Sequence, residues 1–384
     1  MKRNIFTALL LAIIALVLPV GTAAATTDNQ SGDGAAHEQQ AEGGVDAQGL
    51  IFDHLGDRYG WEVPFNHHKS IPLPVIVLAS DGFHVFSSAR VAHGAVWTDG
   101  NVEFKVAGAD SPYKGKVVEI VDGQEVKPTL DISITKNVCG VFISALMVIW
   151  CVLSVARWHR KQGMKAPRKM VGAIEVVIEF VYDGVIKSTL KDKANKFAPY
   201  LLTVFFFILV MNLLGLIVIF PGGANLTGNI AVTLVLAIIT FLVTNIFATK
   251  HYWKDIFNPD VPGWLKFPIP IMPVIELFGI FTKPAALTVR LFANMMGGHM
   301  IVLVLTLLIF IFAAMGPVVT GATAVVSIIF SVFMLLIDVL VSFIQAYVFT
   351  MLSTIFISLG QEDGHAEQAE SKHGANENNE AAVA

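Results

Sequence analysis

Two apolar blocks near the carboxyl end, about Pro270 to Ala314 and Ala322 to Leu359, constrain this chain more than any other feature. A helix of about 40 residues is about 60 Å long, twice the roughly 30 Å thickness of a bilayer's hydrocarbon core. Two spans per block would need a polar hairpin at mid-block. The first block holds only Gly297-Gly298 there, and the middle of the second has neither Gly nor Pro. Each block therefore reads as one helix inclined far beyond the usual tilt of about 20°. Met315-Gly316-Pro317 separates the blocks, so the pair is expected to form an antiparallel hairpin. Helices so inclined suit the flank of a curved partner better than an upright bundle.

Three shorter blocks also match a span of about 20 residues: Val138 to Val155, Phe197 to Phe220 and Ile230 to Thr249. The composition agrees, with 54% hydrophobic residues and 15% charged, where soluble domains carry about 25% charged. The expected fold is an all-α polytopic membrane protein with five transmembrane helices, residues 138–360, preceded by a small β domain. A formal charge of −4 excludes a nucleic-acid protein built on a basic surface. The two cysteines, Cys139 and Cys151, would lie about 18 Å apart on one helix, too far to bridge.

Basic loops set the direction. Arg157, Arg160, Lys161, Lys165, Arg168 and Lys169 follow the first span, Lys187, Lys191, Lys193 and Lys196 precede the second, and Lys250, Lys254 and Lys266 follow the third. The loops 221–229 and 315–321 contain no Lys or Arg. The basic loops are thus expected in the cytoplasm, within a cytoplasmic (inner) membrane, with the amino-terminal domain outside and the tail inside. Residues 1–25 read as a secretory signal, with Lys2 and Arg3 before an apolar stretch and Thr22-Ala23-Ala24-Ala25 as a cleavage region. Residues 26–49 read as a flexible linker, and the acidic tail 361–384 as disordered.

Between them, residues 50–137 carry short β-branched runs such as Pro74-Val75-Ile76-Val77-Leu78 and Phe83-His84-Val85-Phe86. Asp81-Gly82, Asp99-Gly100 and Asp122-Gly123 punctuate them. That pattern predicts short strands and tight turns, a mostly β extracytoplasmic domain. His67-His68 has no helical His partner or cysteine to complete a metal site, so it reads as surface imidazole. No metal or cofactor is expected.

The chemistry lies in charges at bilayer depth, each costing roughly 2.5–3.5 kcal/mol on insertion scales. The first long block carries Glu276, Lys283, Arg290, Asn294 and His299, and the second Asp338 and Gln345. Glu276, Lys283 and Arg290 are each seven residues apart and share a helix face, with Asn294 one turn beyond. Gly297 continues that face, and Gly298 beside it would let another helix approach closely. His299, nine residues from Arg290, falls on the opposite side. Lys283 and Glu276 also suit snorkelling at the cytoplasmic end, whereas Arg290 is too central to reach an interface. His299 and Asp338 are both expected on the outer half. An imidazole titrates near pH 6.5 and burial brings carboxylates towards that range, so such a pair can pass protons. An arginine cannot, because it stays charged. Arg290 would then be a fixed cation between two aqueous half-channels, favouring the ionised form of a carboxylate carried past it by a moving partner.

These residues carry a resemblance. Arg290-Leu291-Phe292-Ala293-Asn294-Met295-Met296-Gly297-Gly298-His299 strongly resembles the arginine helix of the subunit a family of F-type ATP synthases. Lys283-Pro284, Met211-Asn212-Leu213-Leu214-Gly215, Asn229-Ile230-Ala231-Val232-Thr233-Leu234 and Ser342-Phe343-Ile344-Gln345-Ala346-Tyr347-Val348-Phe349 are similar to its other signatures. The resemblance covers about Val138 to Gly360. It implies the stationary proton-channel subunit beside a rotating ring of small carboxylate-bearing membrane subunits, with a peripheral stalk and a soluble ATP-synthesising head in the same complex. It implies that Arg290 is the essential arginine, that His299 and Asp338 hold the outer relay with acid and imidazole exchanged, that Glu276 lines the cytoplasmic half-channel, and that Gln345 lies near the arginine. The longer amino-terminal domain falls outside the resemblance, and a docking role on the outer face is its expected use. No G-x-x-x-x-G-K-[ST] loop is present, so nucleotide chemistry belongs to another subunit. The competing reading is a secondary ion transporter using a midplane Arg and a His/Asp relay. It would call for repeated halves that these five dissimilar spans lack.

Overall fold

The computed structural model describes residues 56–361 apart from 64–65, 101, 109–110, 122, 164, 166, 168–169, 218–224, 258–270 and 314–315. The signal segment, the linker, the tail beyond Gln361, Lys266 and the side chains of His67 and His68 fall outside that description.

Nine strands form three antiparallel groups among the described residues. A hairpin pairs β1 (Gly60–Val63) with β2 (Asn66–Pro72). A three-stranded sheet has the order β4 (Phe83–Ser87), β3 (Pro74–Leu78), β9 (Leu130–Asp131). A meander runs β5 (Trp97–Asp99), β6 (Val102–Val106), β7 (Val117–Val121), β8 (Gln124–Val126). The Asp-Gly signals mark real turns: Gly82, Gly100 and Gly123 sit at φ 146°, 64° and 77°, a region that L-residues with a Cβ rarely adopt. Alternation along β3 and β4 turns Val75, Val77, His84 and Phe86 inward, onto Phe104 and Val117 of the meander.

His84 ties the three-stranded sheet to the meander. Its Nδ1 is 2.9 Å from Asp99 Oδ2, its Nε2 is 2.7 Å from Asp81 Oδ1, and its ring lies 5.1 Å from that of Phe104. Ionised carboxylates only accept hydrogen bonds, so both ring nitrogens must donate and the imidazole is cationic in this arrangement. Burial works against that charge, but the hydrogen bonds and charges of Asp99 and Asp81 outweigh it and raise the His84 pKa above its ordinary value. A raised folded-state pKa contributes stability that is complete below the unfolded value of about 6.5 and fades as pH climbs through the folded value. Hydrogen exchange of β3–β6 in the full chain should therefore accelerate with rising pH beyond the intrinsic trend. His84→Ala should remove that dependence and cost roughly 1–3 kcal/mol, since both acids are partly exposed. A pH profile identical in the variant would refute the clamp.

The β domain is fastened to the first long helix, α1 (Lys136–Gln162). Asn137 N–H donates to Asp57 Oδ1 at 3.2 Å, Val138 N–H to Thr135 Oγ1 at 3.4 Å, and Lys136 N–H to the Arg58 carbonyl at 2.9 Å. These caps satisfy amides that a helix start leaves open. Trp61 of β1, 3% exposed, belongs to the packed cluster of the helices rather than to the β core.

The helices that follow are α2 (Met170–Val181), α3 (Ala194–Leu216), α4 (Ile230–Ile246), α5 (Lys250–Phe257), α6 (Ile271–Ala313) and α7 (Pro317–Gly360). Each long apolar block is one continuous helix, of 43 and 44 residues. Pro284 lies within α6 without ending it, and Gly316 at φ 112° turns the chain between the two. By length and composition, four described helical stretches can cross a membrane: 136–162, 170–216, 274–309 and 318–360. Helix α4 is apolar but shorter, at 17 residues. This is a mostly helical, polytopic membrane protein with a small β region.

One segment departs from the sequence reading. Residues 156–196 were expected as a basic loop, but α2 continues through a π-helical stretch, Tyr182–Lys187, and one further turn to Leu190. Its Ile174, Val177, Ile178, Val181, Val185 and Ile186 recur at helical spacing and pack against the helix cluster. The Phe180 ring lies 5.5 Å from that of Tyr347 of α7, tilted by 32°. Span-length hydropathy overlooks a helix that is apolar on one face and carries Glu175, Glu179 and Asp183 on the others.

The helix ends sort into two groups. Lys193, at the start of α3, donates to the Gln361 carbonyl at 2.7 Å, and Thr249, after α4, donates to the Gly360 carbonyl at 2.8 Å. The start of α3, the end of α4 and the end of α7 therefore lie together.

Candidate functional site

Helices α6 and α7 cross antiparallel, so residues that approach share a nearly constant sum of numbers. A Cβ added at Gly298 would fall 2.6 Å from Asp338 Oδ1 and 3.0 Å from its Cγ, whereas one at Gly297 would meet nothing within 4 Å. Gly298 is thus the residue that lets the Asp338 carboxylate lie against the α6 backbone. One crossing further, Asn294 Nδ2 donates to Gln345 Oε1 at 3.5 Å.

A cavity of about 300 Å³, counting its open mouth, lies at this crossing; Asn294, Gly298, His299, Asp338, Ser342 and Gln345 line it. Asn212 of α3 forms its third wall. Gln345 is 7% exposed, and its Nε2 has no hydrogen-bond partner among the described residues. Buried amide donors are almost always satisfied, so this atom marks a position for water.

Asn212 is 3% exposed, accepts from Thr227 Oγ1 at 2.7 Å, and donates to the Ser342 carbonyl at 3.4 Å. Asn212, Thr227 and Ser342 carry no functional role in the sequence reading. The signal was present: a carboxamide within the apolar block 197–220 needs partners at that depth.

Arg290 looks the other way. Its neighbours Leu287 and Leu291 are buried in the bundle, while Arg290, Ala286, Val289 and Ala293 are exposed on the outward side of α6. The expected opposition of arginine and histidine is therefore seen: His299 lines the cavity, and Arg290 lies on a surface of small and apolar residues. Lys283 and Glu276, although in step with Arg290, do not join it. Lys283 Nζ sits 5.5 Å over the Phe356 ring and lines a second cavity nearer the start of α6, and Glu276 is half-buried one face-repeat before it. Of the seven candidate residues, the structure gathers Asn294, His299, Asp338 and Gln345, and sets Arg290, Lys283 and Glu276 apart.

The arrangement can hold water beside a carboxylate and an imidazole on one side of α6, and can present on the other an exposed guanidinium with no ion pair among the described residues. Among the described residues no cluster of three or more His, Cys, Asp or Glu could hold a metal ion.

Residues 138–358 match the family model described as ATP synthase A chain, and residues 50–137 match one described as a domain of unknown function. ATP synthase subunit a of Chloroherpeton thalassium is 40% identical over 319 residues, covering 78% of this chain and 90% of the relative. ATP synthase subunit a 2 of Chlorobaculum tepidum is 42% identical over 251 residues, 64% of this chain and 69% of the relative. ATP synthase subunit a of Myxococcus xanthus is 38% identical over 267 residues, 67% of this chain and 82% of the relative.

Proposed function

The chain belongs to the ATP synthase A chain family, as a proton-channel subunit of an F-type ATP synthase, and we propose how its own residues divide the proton path. Arg290 is the barrier. Exposed on the outward side of α6 among Ala286, Val289 and Ala293, it meets the carboxylates of a ring of small membrane subunits and holds each in ionised form as it passes. The small neighbours let the ring approach closely.

His299 and Asp338 form the outer half-channel relay, with Asn294, Gln345 and Asn212 positioning water between the relay and the barrier. Glu276 and Lys283 serve the cytoplasmic half-channel. The single observation carrying this reading is the division across α6: relay residues line a polar cavity, while the permanent cation faces away from it. A secondary transporter would instead aim its binding residues into one shared site.

The topology follows from the same reading. Five spans, α1, α3, α4, α6 and α7, cross a cytoplasmic (inner) membrane, the last two as a steeply tilted hairpin, with α2 amphipathic on the inner side. The domain 50–137 stands outside after a signal peptide, 1–25, and a linker, 26–49, and the tail 361–384 ends in the cytoplasm. A peripheral-stalk subunit holds the chain still against the ring, and the soluble head carries the nucleotide chemistry.

Affinity purification of the tagged full chain in mild detergent tests the assignment. A small membrane protein with a mid-helix carboxylate should copurify in several copies per chain. Its absence from a complex that retains the soluble head would overturn the reading.

A further inference from the structure

One side of α1 is left open by the rest of the chain. Leu146, Trp150 and Leu153 are 66%, 59% and 43% exposed there, and Arg157, Arg160 and Lys161 are exposed beyond them. At about 100° per residue all six fall within a sector of about 100°, so an apolar stripe runs straight into a cluster of cations. From Leu146 to Arg157 the stripe is about 16 Å long, the depth of one leaflet of a hydrocarbon core of about 30 Å. The three cations follow within about 6 Å of helix axis.

Packing uses the opposite side of the helix. Gly140 and Ser144 are buried there, and Val141 and Val148 belong to the helix cluster. Helices in a membrane approach one another over small residues, and the open stripe carries large ones instead, which suit acyl chains. The cations are also unclaimed. Arg157, Arg160 and Lys161 form no ion pair among the described residues, and Glu175 of α2 goes to His159, on the far side of α1, at 2.8 Å. Gly163, at φ 62°, closes the helix with its N–H on the His159 carbonyl, so capping does not occupy the arginines. Trp158 Nε1 donates to the Lys165 carbonyl at 3.2 Å, which keeps a fourth exposed cation at the helix end.

We infer that this face of α1 binds an anionic phospholipid, with the phosphate on Arg157, Arg160 and Lys161 and the acyl chains along Leu153, Trp150 and Leu146. Guanidinium forks match phosphate oxygens in pairs. Each cation beside anionic lipid strengthens attachment about fivefold, so three of them select against neutral headgroups. The site requires only that α1 crosses the membrane, and it is independent of the proton path.

The test places the assembled complex in phosphatidylcholine vesicles containing a small fraction of phosphatidylglycerol with a photoactivatable acyl chain, and maps the crosslinked peptides by mass spectrometry. Crosslinks to α1 between Leu146 and Leu153 should exceed about fivefold those from phosphatidylcholine bearing the same chain. Combining Arg157→Gln, Arg160→Gln and Lys161→Gln should abolish the excess while assembly and proton pumping are retained. Arg157→Lys with Arg160→Lys should keep most of it, because the charge remains. If the triple variant fails to assemble, Arg157→Gln alone should still cut the excess severalfold, and an unchanged excess would overturn the inference. Equal crosslinking by the two lipids in the parent would mean an ordinary lipid boundary and overturn it. A stripe labelled by neither lipid because another subunit covers it would do the same, as would an excess that survives the triple replacement.

Discussion

Arg290→Ala should abolish ATP-driven proton pumping in vesicles that retain the assembled complex. A guanidinium cannot give up its proton, and on the proposed reading Arg290 lies at bilayer depth, where an uncompensated charge costs several kcal/mol. Its exposed position among Ala286, Val289 and Ala293 fits the proposed compensation by a carboxylate of the ring. Without the cation, a ring carboxylate has no reason to ionise midway between the half-channels, and protons have no reason to travel the long way round. The expected loss is complete rather than partial, and passive proton permeability should rise. Arg290→Lys should not rescue, because an ammonium is a different donor set and can titrate in such a place. Vesicles of Arg290→Ala that acidify at the parental rate would refute the barrier.

The second large effect belongs to the relay. Asp338→Asn and His299→Ala should each slow proton passage from the outer side by about a hundredfold, the lower end for a positioned proton-transfer group. The exchanged pair, His299→Asp with Asp338→His, should recover part of the rate, since both groups line one cavity. Gly298→Ala provides a gentler probe. Its new methyl group would fall 2.6 Å from Asp338 Oδ1, so the carboxylate must swing away, and the rate should fall without loss of assembly. Gly297→Ala meets open space and should pump normally. Stopped-flow measurement of outward-imposed proton gradients in reconstituted vesicles reads all of these. Unchanged flux in both single relay variants would remove the relay.

That His299 and Asp338 line one cavity was legible, because chain direction puts both at a similar distance along two antiparallel helices, and a nine-residue spacing turns Arg290 to another face. Asn212 was not legible, because its partners Thr227 and Ser342 come from other segments, Ser342 being 130 positions away. Likewise α2 hid behind its charges until Phe180 was seen against Tyr347.

By itself the chain's text determined what local physics dictates. Unbroken apolar runs must become helices in oil because their backbone groups have no other partner there, and Asp-Gly turns with alternating residues must become hairpins. It also determined which charges needed explaining. The tertiary structure alone decided which side of α6 turns inward, that Lys283 parts company with Arg290, and that Asn245, Tyr252 and Lys283 enclose one cavity. Those outcomes depend on packing between helices far apart in sequence, where a rotation of a few tens of degrees moves a side chain from cavity to surface, and no spacing within one helix can fix that rotation.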